Sequence, residues 1–240
     1  MADYKGIQGY TVQSLASDPP ASVGLGQLWY NSASNVWKIG AVGAGAWASG
    51  NNRNTEIYDG MGCGTTTAAL TADGSGGTGP TPGNQALAEE YDGTSWAVAN
   101  AAPTAARVVG GGGIQTSAIV AGGYAISGYY TESFTFDGTN WTEVADINFS
   151  REGLGGAAST ATAALICGGS GPNASPPRTR ADTETYDGTC WTQVNDMQVA
   201  KYNTSTLGTS TACIAVGGFT GSTVATNEEW DGTCWSEEEI

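Results

Sequence analysis

Tyr91-Asp92-Gly93-Thr94-Ser95-Trp96 is the first of four copies of one hexapeptide, an aromatic residue followed by Asp-Gly-Thr-x-Trp, in this chain of 240 residues. The other copies end at Trp141, Trp191 and Trp235, so successive tryptophans are 45 (141−96), 50 (191−141) and 44 (235−191) residues apart. Self-similarity at such a period is typical of repeat architectures. The chain is therefore predicted to consist of four similar units.

A second motif precedes each hexapeptide, an apolar run that ends in a glycine pair. It reads TSAIVAGG at 116–123, TAALICGG at 162–169 and TACIAVGG at 211–218, while in the first unit Asp73 replaces the first glycine. With a glycine-rich strand before it and a Glu/Thr-rich strand after it, each unit is predicted to form four short strands. We interpret Asp-Gly as a two-residue hairpin turn with positive φ at both positions. The repeated tryptophan is large enough to fill the gap between neighbouring sheets.

Four strands per unit at this period are typical of propeller blades. The order Gly-Gly, aromatic, Trp resembles the kelch repeat family over roughly residues 50–240, and Asp-Gly-Thr-x-Trp is similar to the Asp-box of sialidase-type propellers. The resemblance implies an all-β, kelch-like β-propeller over residues 46–240 with four blades of four antiparallel strands. The implied blades cover about 46–100, 101–146, 147–196 and 197–240. Trp47 is similar to the last strand of another unit, which either pairs with the end of the ring and closes it or indicates a ring with more blades. A linear or intermolecularly closed array is the alternative architecture.

Residues 1–45 lack the repeat and are predicted to be a separate segment. Aromatic runs at 26–31 and 36–39 flank the polar stretch 32–35, a pattern that predicts a β-hairpin. One hairpin is marginally stable alone, so it is expected to pack on another chain or on the repeats. The segment resembles the leader of bacteriophage tail-fibre and other virion appendage proteins, notably of marine phages. The resemblance implies attachment to other virion proteins through Trp29, Tyr30 and Trp37.

Composition excludes several classes of function. With 23 Asp and Glu against 8 Lys and Arg, the net charge of −15 disfavours nucleic acids and acidic membranes as partners. The absence of histidine excludes Ser-His-Asp and Cys-His catalysis and histidine metal sites. No apolar run reaches the length of a membrane span, and the N-terminus does not look like a signal peptide. We expect no metal and no cofactor, and interpret the five cysteines as buried thiols in a reducing compartment.

The most prominent carboxylates are the hexapeptide aspartates. Their recurrence in every unit favours a role in the turn over catalysis. The structural motif residues are Asp92, Trp96, Asp137, Trp141, Asp187, Trp191, Asp231 and Trp235.

Three of the eight basic residues recur at similar places, 10 or 11 residues after a repeat tryptophan. They are Arg107 (107−96), Arg151 (151−141) and Lys201 (201−191). They indicate either a cationic ring beside a central channel or ion pairs with Glu89, Glu184 and Glu228. We favour the ion pairs, since a partly buried charge needs a partner.

The loops between the second and third strands differ most between units and are therefore the candidate binding surface. They span 74–85, 124–130 and 170–180, and the candidate binding residues in them are Tyr124, Tyr129, Tyr130, Arg178 and Arg180.

The sequence favours a non-enzymatic phage virion structural protein, a tail fibre or capsid decoration. Its propeller is expected to bind a host-surface glycan or protein, or a neighbouring subunit, as a homo-oligomer. The chain would be made in the host cytoplasm and assembled into the virion. A bacterial carbohydrate-binding or adhesion propeller, at the cell surface or secreted, is the alternative, and an Asp-box glycosidase ranks third.

Overall fold

The computed structural model describes residues 13–17, 28–39, 50–76, 83–172 and 178–237. These residues form strands and loops without a helix, which confirms the all-β class; accordingly, none of them forms a helix that could cross a membrane. The chain divides into two compact units, residues 1–49 and residues 50–240. Trp47, which resembles the last strand of a further unit, lies outside the described residues.

The first unit contains the predicted hairpin. Leu28–Asn31 (β2) pairs antiparallel with Val36–Ile39 (β3), with Tyr30 opposite Trp37. The Oδ1 atom of Asn31 accepts hydrogen bonds from the backbone N–H groups of Ala33 and Ser34, which closes the turn. Gln13–Leu15 (β1) adds a third strand, parallel to β2. Three residues are too few to show an alternation, so the sequence did not predict β1.

The second unit contains four four-stranded antiparallel sheets, each formed by one repeat with its strands in chain order. Sheet 1 comprises Met61–Thr65 (β5), Ala68–Ala72 (β6), Ala88–Tyr91 (β9) and Trp96–Val98 (β10). Sheet 2 comprises Gly110–Ile114 (β11), Ser117–Ala121 (β12), Ser133–Phe136 (β15) and Trp141–Val144 (β16). Sheet 3 comprises Gly155–Thr160 (β17), Ala163–Cys167 (β18), Thr183–Tyr186 (β19) and Trp191–Gln193 (β20). Sheet 4 comprises Ser205–Thr209 (β21), Ala212–Phe219 (β22), Thr223–Trp230 (β23) and Trp235–Glu237 (β24).

Short strands occupy the loops of the first two repeats. Ile57–Tyr58 (β4), Ser75–Gly76 (β7) and Gly83–Asn84 (β8) form a three-stranded sheet. Tyr124–Ala125 (β13) and Gly128–Tyr129 (β14) form a hairpin. Strands β7, β8, β13 and β14 lie between the second and third strands of their repeats, and β4 pairs with β7.

The hexapeptide forms a four-residue loop between β-strands, and the prediction of a two-residue turn was wrong. Tyr91 pairs directly with Trp96, and among the loop residues Gly93 has positive φ (92°) whereas Asp92 does not. The Oδ1 atom of Asp92 accepts hydrogen bonds from the N–H groups of Thr94 and Ser95, both at 2.7 Å. The same two bonds recur at Asp137, Asp187 and Asp231. The aspartate side chain therefore completes the turn in all four repeats.

Successive sheets pack through their first strands. The pairs β5 and β11, β11 and β17, and β17 and β21 lie side by side, whereas β21 and β5 do not. The glycine-rich sequence of these strands permits the close approach, because a methyl group on Gly156 would overlap the backbone of Gly111 in the preceding sheet. In the described residues the four sheets thus form a consecutive series, with sheets 1 and 4 at its ends.

One backbone position per repeat links the sheets by hydrogen bonds. The N–H of Val108 donates to Asp59 O, the N–H of Gly153 to Val108 O, and the N–H of Asn203 to Gly153 O, at 2.7–2.9 Å. All four residues are in the left-handed region, with φ between 51° and 63°. Each residue lies two positions before the first strand of its sheet. The hydrogen bond between neighbouring sheets is therefore made at the same position of every repeat.

Repeat tryptophans lie at the junctions between sheets 2, 3 and 4. Trp191 packs in a cluster with Ile119 and Ala121 of sheet 2, and its Nε1–H donates to Ser133 Oγ at 3.1 Å. Trp235 packs against sheet 3 in the same way and donates to Thr183 Oγ1 at 3.0 Å. Each of these two tryptophans thus buries apolar surface against the preceding sheet and donates its Nε1–H to a hydroxyl of that sheet.

Candidate functional site

A cleft of about 730 Å³ lies at the loop end of sheets 1 and 2. It is formed by the loop strands of the first two repeats and by the segment that enters sheet 2. Its wall includes Tyr58, Asn84, Thr104, Arg107, Tyr124 and Ile126. Two of the three loops predicted to form the binding surface, those at 74–85 and 124–130, therefore contribute to one cleft.

The β13–β14 hairpin positions the aromatic wall of the cleft. Tyr124 pairs with Tyr129 across the hairpin, and their rings meet edge to face with centroids 5.4 Å apart. Arg107 forms a backbone bridge with Tyr124, and its Cζ atom lies 5.2 Å from the centre of that ring. The Nδ2 of Asn84 donates to Tyr124 O at 2.6 Å and joins the two repeats. These contacts hold the ring of Tyr124 in place before any ligand binds.

The cleft combines exposed apolar surface with polar groups. The ring of Tyr58 is 56% exposed and Ile126 is fully exposed. Nη1 of Arg107 lies 4.0 Å from Asp59 Oδ2. Burial raises the pKa of Glu152, an effect that the charge of Arg107 opposes. Asp59 is thus an anionic neighbour of Arg107, and the cleft suits a neutral ligand that stacks on an aromatic ring and accepts hydrogen bonds.

Tyr130, a candidate binding residue, is buried instead of exposed. It is 9% exposed and belongs to the apolar cluster between sheets 1 and 2. Burial, together with the nearby Asp73 and Glu132, raises the pKa of its hydroxyl. Tyr129 lies partly buried behind Tyr124, so Tyr124 is the tyrosine of that loop that faces the cleft.

Arg178 and Arg180 belong to the loop of the third repeat and do not line the cleft. The Nε–H of Arg180 donates to Asp182 Oδ2 at 2.8 Å, and its Cζ lies 4.7 Å from the ring centre of Phe149. Arg178 is exposed, with φ at 70°. The guanidinium of Arg180 thus already has an anionic partner and an aromatic one.

Sequence reasoning missed Tyr58 and Asn84 and placed Arg107 one residue out of register. Arg151 and Lys201 each lie four residues before the first strand of their sheets (155−151 and 205−201). The residues at that position in sheets 2 and 1 are Ala106 (110−106) and Ile57 (61−57). Arg107 is instead equivalent to Glu152 and Tyr202, which make the corresponding backbone bridges. Counting from the start of the following glycine-rich strand would have revealed this shift.

The other two basic residues form the predicted ion pairs. Nη2 of Arg151 lies 2.7 Å from Glu184 Oε1, and Nζ of Lys201 lies 3.2 Å from Glu228 Oε1. All four side chains are fully buried. The pKa of Arg151 is lowered by burial, an effect that Glu184 opposes.

The buried glutamates also hold the segments that enter the sheets. Oε2 of Glu184 accepts hydrogen bonds from Asn148 N and Nδ2, and Oε2 of Glu228 accepts one from Gln198 N. Glu89 holds Asn54 and Thr55 in the same way and pairs at 3.4 Å with Arg53. Each glutamate is therefore a buried anion with cationic and N–H partners, as burial of a carboxylate requires.

Sheet 2 fills the same place with apolar groups. Ala106 stands in the place of the basic residue, and Phe134 stands in the place of the glutamate. Pro103 stands in the place of the residue whose backbone N–H donates a hydrogen bond to the glutamate in the other sheets. A cavity of about 330 Å³ is lined by the entry residues of all four sheets, among them Asp59, Val108, Gly153 and Asn203, and by no lysine or arginine. The cationic ring is therefore not formed by these residues.

The cysteine interpretation was partly wrong. Cys167 and Cys213 are buried, but Cys190 and Cys234 are exposed in the hexapeptides of sheets 3 and 4. All five thiols are free. Cys190 and Cys234 both follow Thr in the four-residue loop, and the Sγ of Cys234 donates to Asp231 Oδ2 at 3.6 Å.

Among the described residues, no cluster of three or more Cys, Asp or Glu side chains has a geometry that could hold a metal ion. No protein-family model and no curated protein matches this chain.

Proposed function

We propose that this chain is a non-enzymatic recognition protein of a phage virion appendage, a kelch-like β-propeller whose cleft between sheets 1 and 2 binds a neutral host-surface glycan. The cleft carries the proposal. Tyr58 and Tyr124 present aromatic surface, and Asn84, Thr104 and Ser127 contribute hydroxyl and amide groups to its wall. Aromatic rings with a few fixed polar groups suit the apolar faces and hydroxyls of sugars.

Two observations support a propeller. Equivalent residues of consecutive repeats are joined by backbone hydrogen bonds at Asp59, Val108, Gly153 and Asn203. Residues that enter all four sheets line one common cavity. Blades arranged around a channel would produce both features.

The carboxylates of the hexapeptides and of the buried ion pairs support a non-catalytic role because they have structural partners. The hexapeptide aspartates accept backbone hydrogen bonds, which lower their pKa. Glu184 and Glu228 each form a buried ion pair. None of these groups resembles a glycosidase acid held protonated beside a free carboxylate.

The N-terminal hairpin supports attachment through the first unit. Trp37 is 61% exposed on β3, whereas Trp29 is 8% exposed. A large aromatic side chain on an exposed strand is typical of a protein-binding surface. Trp37, with Tyr30 packed at 5.4 Å beside it, is the proposed contact to other virion proteins.

The glycan proposal is tested by screening the full chain on an array of neutral and acidic oligosaccharides, followed by calorimetry with the best neutral ligand. Tyr124→Ala and Tyr58→Ala should each weaken binding at least about tenfold, which corresponds to about 1.4 kcal/mol. Tyr202→Ala is the matched control, since Tyr202 stacks on Phe219 in sheet 4 and does not line the cleft. Equal loss in all three variants, or binding to acidic glycans alone, would contradict the proposal.

The virion assignment has a separate test. Particles purified from a lysate of the phage that carries this gene should contain peptides of the chain by mass spectrometry. Trp37→Ser should lower the amount of the chain per particle while leaving the glycan affinity of the free protein unchanged. Particles free of the chain would overturn the assignment.

A further inference from the structure

Sheet 4 ends the series with an apolar face that no described residue covers. Leu207 is 65% exposed and Val216 39%, with Ile214 half-buried between them. The equivalent positions of sheet 3 are Ala157, Leu165 and Cys167, which are at most 3% exposed because sheet 4 packs on them. Sheet 4 therefore repeats the face by which sheet 3 binds its successor. We call Leu207, Ile214, Val216 and Asn227 the open face of sheet 4.

Sheet 1 presents the complementary face. Ala69 and Thr71 are half-buried and Gly62 is exposed. Their counterparts Ala118 and Val120 of sheet 2 are fully buried against sheet 1. We call Gly62, Ala69, Thr71 and Tyr91 the open face of sheet 1. It repeats the face by which sheets 2, 3 and 4 each bind the preceding sheet.

Polar groups differ between the internal junctions. The hydroxyls of Ser133 and Thr183 accept the Nε1–H of the next sheet's tryptophan. At the equivalent position of sheet 4 stands Asn227, whose side-chain oxygen is also an acceptor. Trp141 and Trp96 instead donate their Nε1–H to Asn100 O and Asn51 O of their own entry segments. The open face of sheet 4 therefore matches an internal junction in its apolar area, and this hydrogen bond is not part of the match.

The backbone series stops at the same place. Asn203 donates to Gly153, but within the described chain the N–H of Asp59 does not donate to Asn203 O. The N–H of Asp59 and the carbonyl oxygen of Asn203 are the two ends of the series of three backbone hydrogen bonds that joins the four sheets. One more sheet of the same kind would extend it by one step.

We propose that the open face of sheet 4 binds the open face of sheet 1 of a second copy of this chain. Residues 1–49 lack the hexapeptide, whereas sheet 1 of another copy carries its aromatic pair, Tyr91 and Trp96, in the same motif as sheets 2, 3 and 4. The contact is heterologous, so the copies form a closed ring or a filament according to the rotation between them. The proposal is independent of the ligand of the cleft.

The test uses sedimentation velocity of the full chain across a broad dilution series. The wild type should associate reversibly. Leu207→Glu should weaken association more than about tenfold, because it places a charge against apolar surface. Gly62→Glu should do the same from the other face. A Cβ atom there would meet no atom closer than 4.0 Å, and Gly62 has no positive φ, so the backbone accepts a side chain at this position.

The decisive measurement mixes the two variants. Each retains one intact open face, so an equimolar mixture of Leu207→Glu and Gly62→Glu should form dimers and nothing larger, while each alone stays monomeric. Ile126→Glu, which adds the same charge at a fully exposed isoleucine of the cleft, should associate like the wild type.

Three results would overturn the proposal. The wild type could remain monomeric throughout the series. The equimolar mixture could fail to form dimers. Hydroxyl-radical footprinting could show the side chain of Leu207 shielded from solvent in the monomeric full chain, which would assign the open face of sheet 4 to residues of the same copy.

Discussion

The guanidinium of Arg151 lies 2.7 Å from the carboxylate of Glu184, and neither side chain is accessible to solvent. In sheet 2 the two equivalent positions hold Ala106 and Phe134, which are also buried. One place in the repeat is thus filled by an ion pair in sheet 3 and by apolar side chains in its neighbour. The two positions should therefore be energetically coupled.

We expect Arg151→Ala and Glu184→Phe each to lower the free energy of unfolding by about 3–5 kcal/mol, because each leaves an uncompensated buried charge. The double variant should lose less than either single variant, since it removes both charges. A triple variant that also carries Asn148→Pro reproduces Pro103 of sheet 2. It removes the two N–H groups of Asn148 that donate hydrogen bonds to the Glu184 carboxylate in the wild type.

Urea denaturation measures all of these variants. Arg180→Ala is the control, because its partly exposed pair with Asp182 should contribute at most about 1 kcal/mol. Additive losses at Arg151 and Glu184 would contradict the coupling.

Asp73 occupies a left-handed position that is glycine in the other repeats, with φ at 57°, and one oxygen of its buried carboxyl has no hydrogen-bond partner among the described residues. Burial raises its pKa well above the usual value. Since the folded state binds this proton more tightly than the unfolded state, stability falls as the pH rises above the ordinary pKa of aspartate. Asp73→Gly should raise the free energy of unfolding at neutral pH by about 1–3 kcal/mol and reduce that pH dependence.

The matched reverse change is Gly122→Asp in sheet 2. A side chain there would come within 2.9 Å of Ile147 Cδ1 and 3.0 Å of Arg151 O, so this variant should be less stable than the wild type. Thermal denaturation at pH 5 and pH 8 checks both variants. If Asp73→Gly made the protein less stable than the wild type at pH 8, the assignment would be contradicted.

The four turn aspartates should make the fold sensitive to acid. Backbone hydrogen bonds lower the pKa of Asp92, Asp137, Asp187 and Asp231. Their contribution is fully present above the ordinary pKa of aspartate and is lost as the pH falls through the lowered value. Carbon-detected NMR titration of the carboxyl groups should show four low values.

Substitution separates the acceptor from the charge. Asp137→Asn keeps an oxygen for the N–H groups of Thr139 and Asn140, whereas Asp137→Ala does not. The alanine variant should have the lower melting temperature at neutral pH. Equal melting temperatures would show that the turn does not depend on these bonds.

Thiol reactivity should divide the cysteines into two classes. Cys190 and Cys234 are exposed and should react with a disulfide reagent in the native protein near pH 8. Burial raises the pKa of Cys63 and Cys167 to about 11 and that of Cys213 to about 12, so these should react only on unfolding.

The negative charge of Asp231 is the main cause of the raised pKa of Cys234. Asp231→Asn should therefore accelerate labelling at Cys234 and leave Cys190 unchanged. A count of native thiols other than two, read from the absorbance of the released thiolate, would contradict this division.

The hexapeptide and the glycine pair were sufficient to predict four four-stranded sheets with their strands in chain order, because both motifs recur at fixed distances along the chain. The turn was misread because Asp-Gly also fits a two-residue hairpin, whereas here the side chain of Asp92 replaces part of the backbone pairing. Closure of the series between sheets 4 and 1 could not be predicted, since it depends on the rotation between sheets and not on any single residue.

The candidate site was only partly predictable. Variation between repeats located the loops at 74–85 and 124–130, which do meet at the cleft. It did not separate Tyr124, which faces the cleft, from Tyr130, which is buried six residues later. Burial of an individual loop side chain depends on packing against another repeat, here the apolar cluster shared by sheets 1 and 2.

The backbone bonds between Asp59, Val108, Gly153 and Asn203 join each repeat only to its immediate neighbours. A gene that loses or duplicates one whole unit would thus join two repeats whose donors and acceptors already correspond. Unequal recombination within the coding sequence can change the number of units without redesign of any junction. The length of such a protein is therefore open to rapid evolutionary change, while the interior of each unit is not.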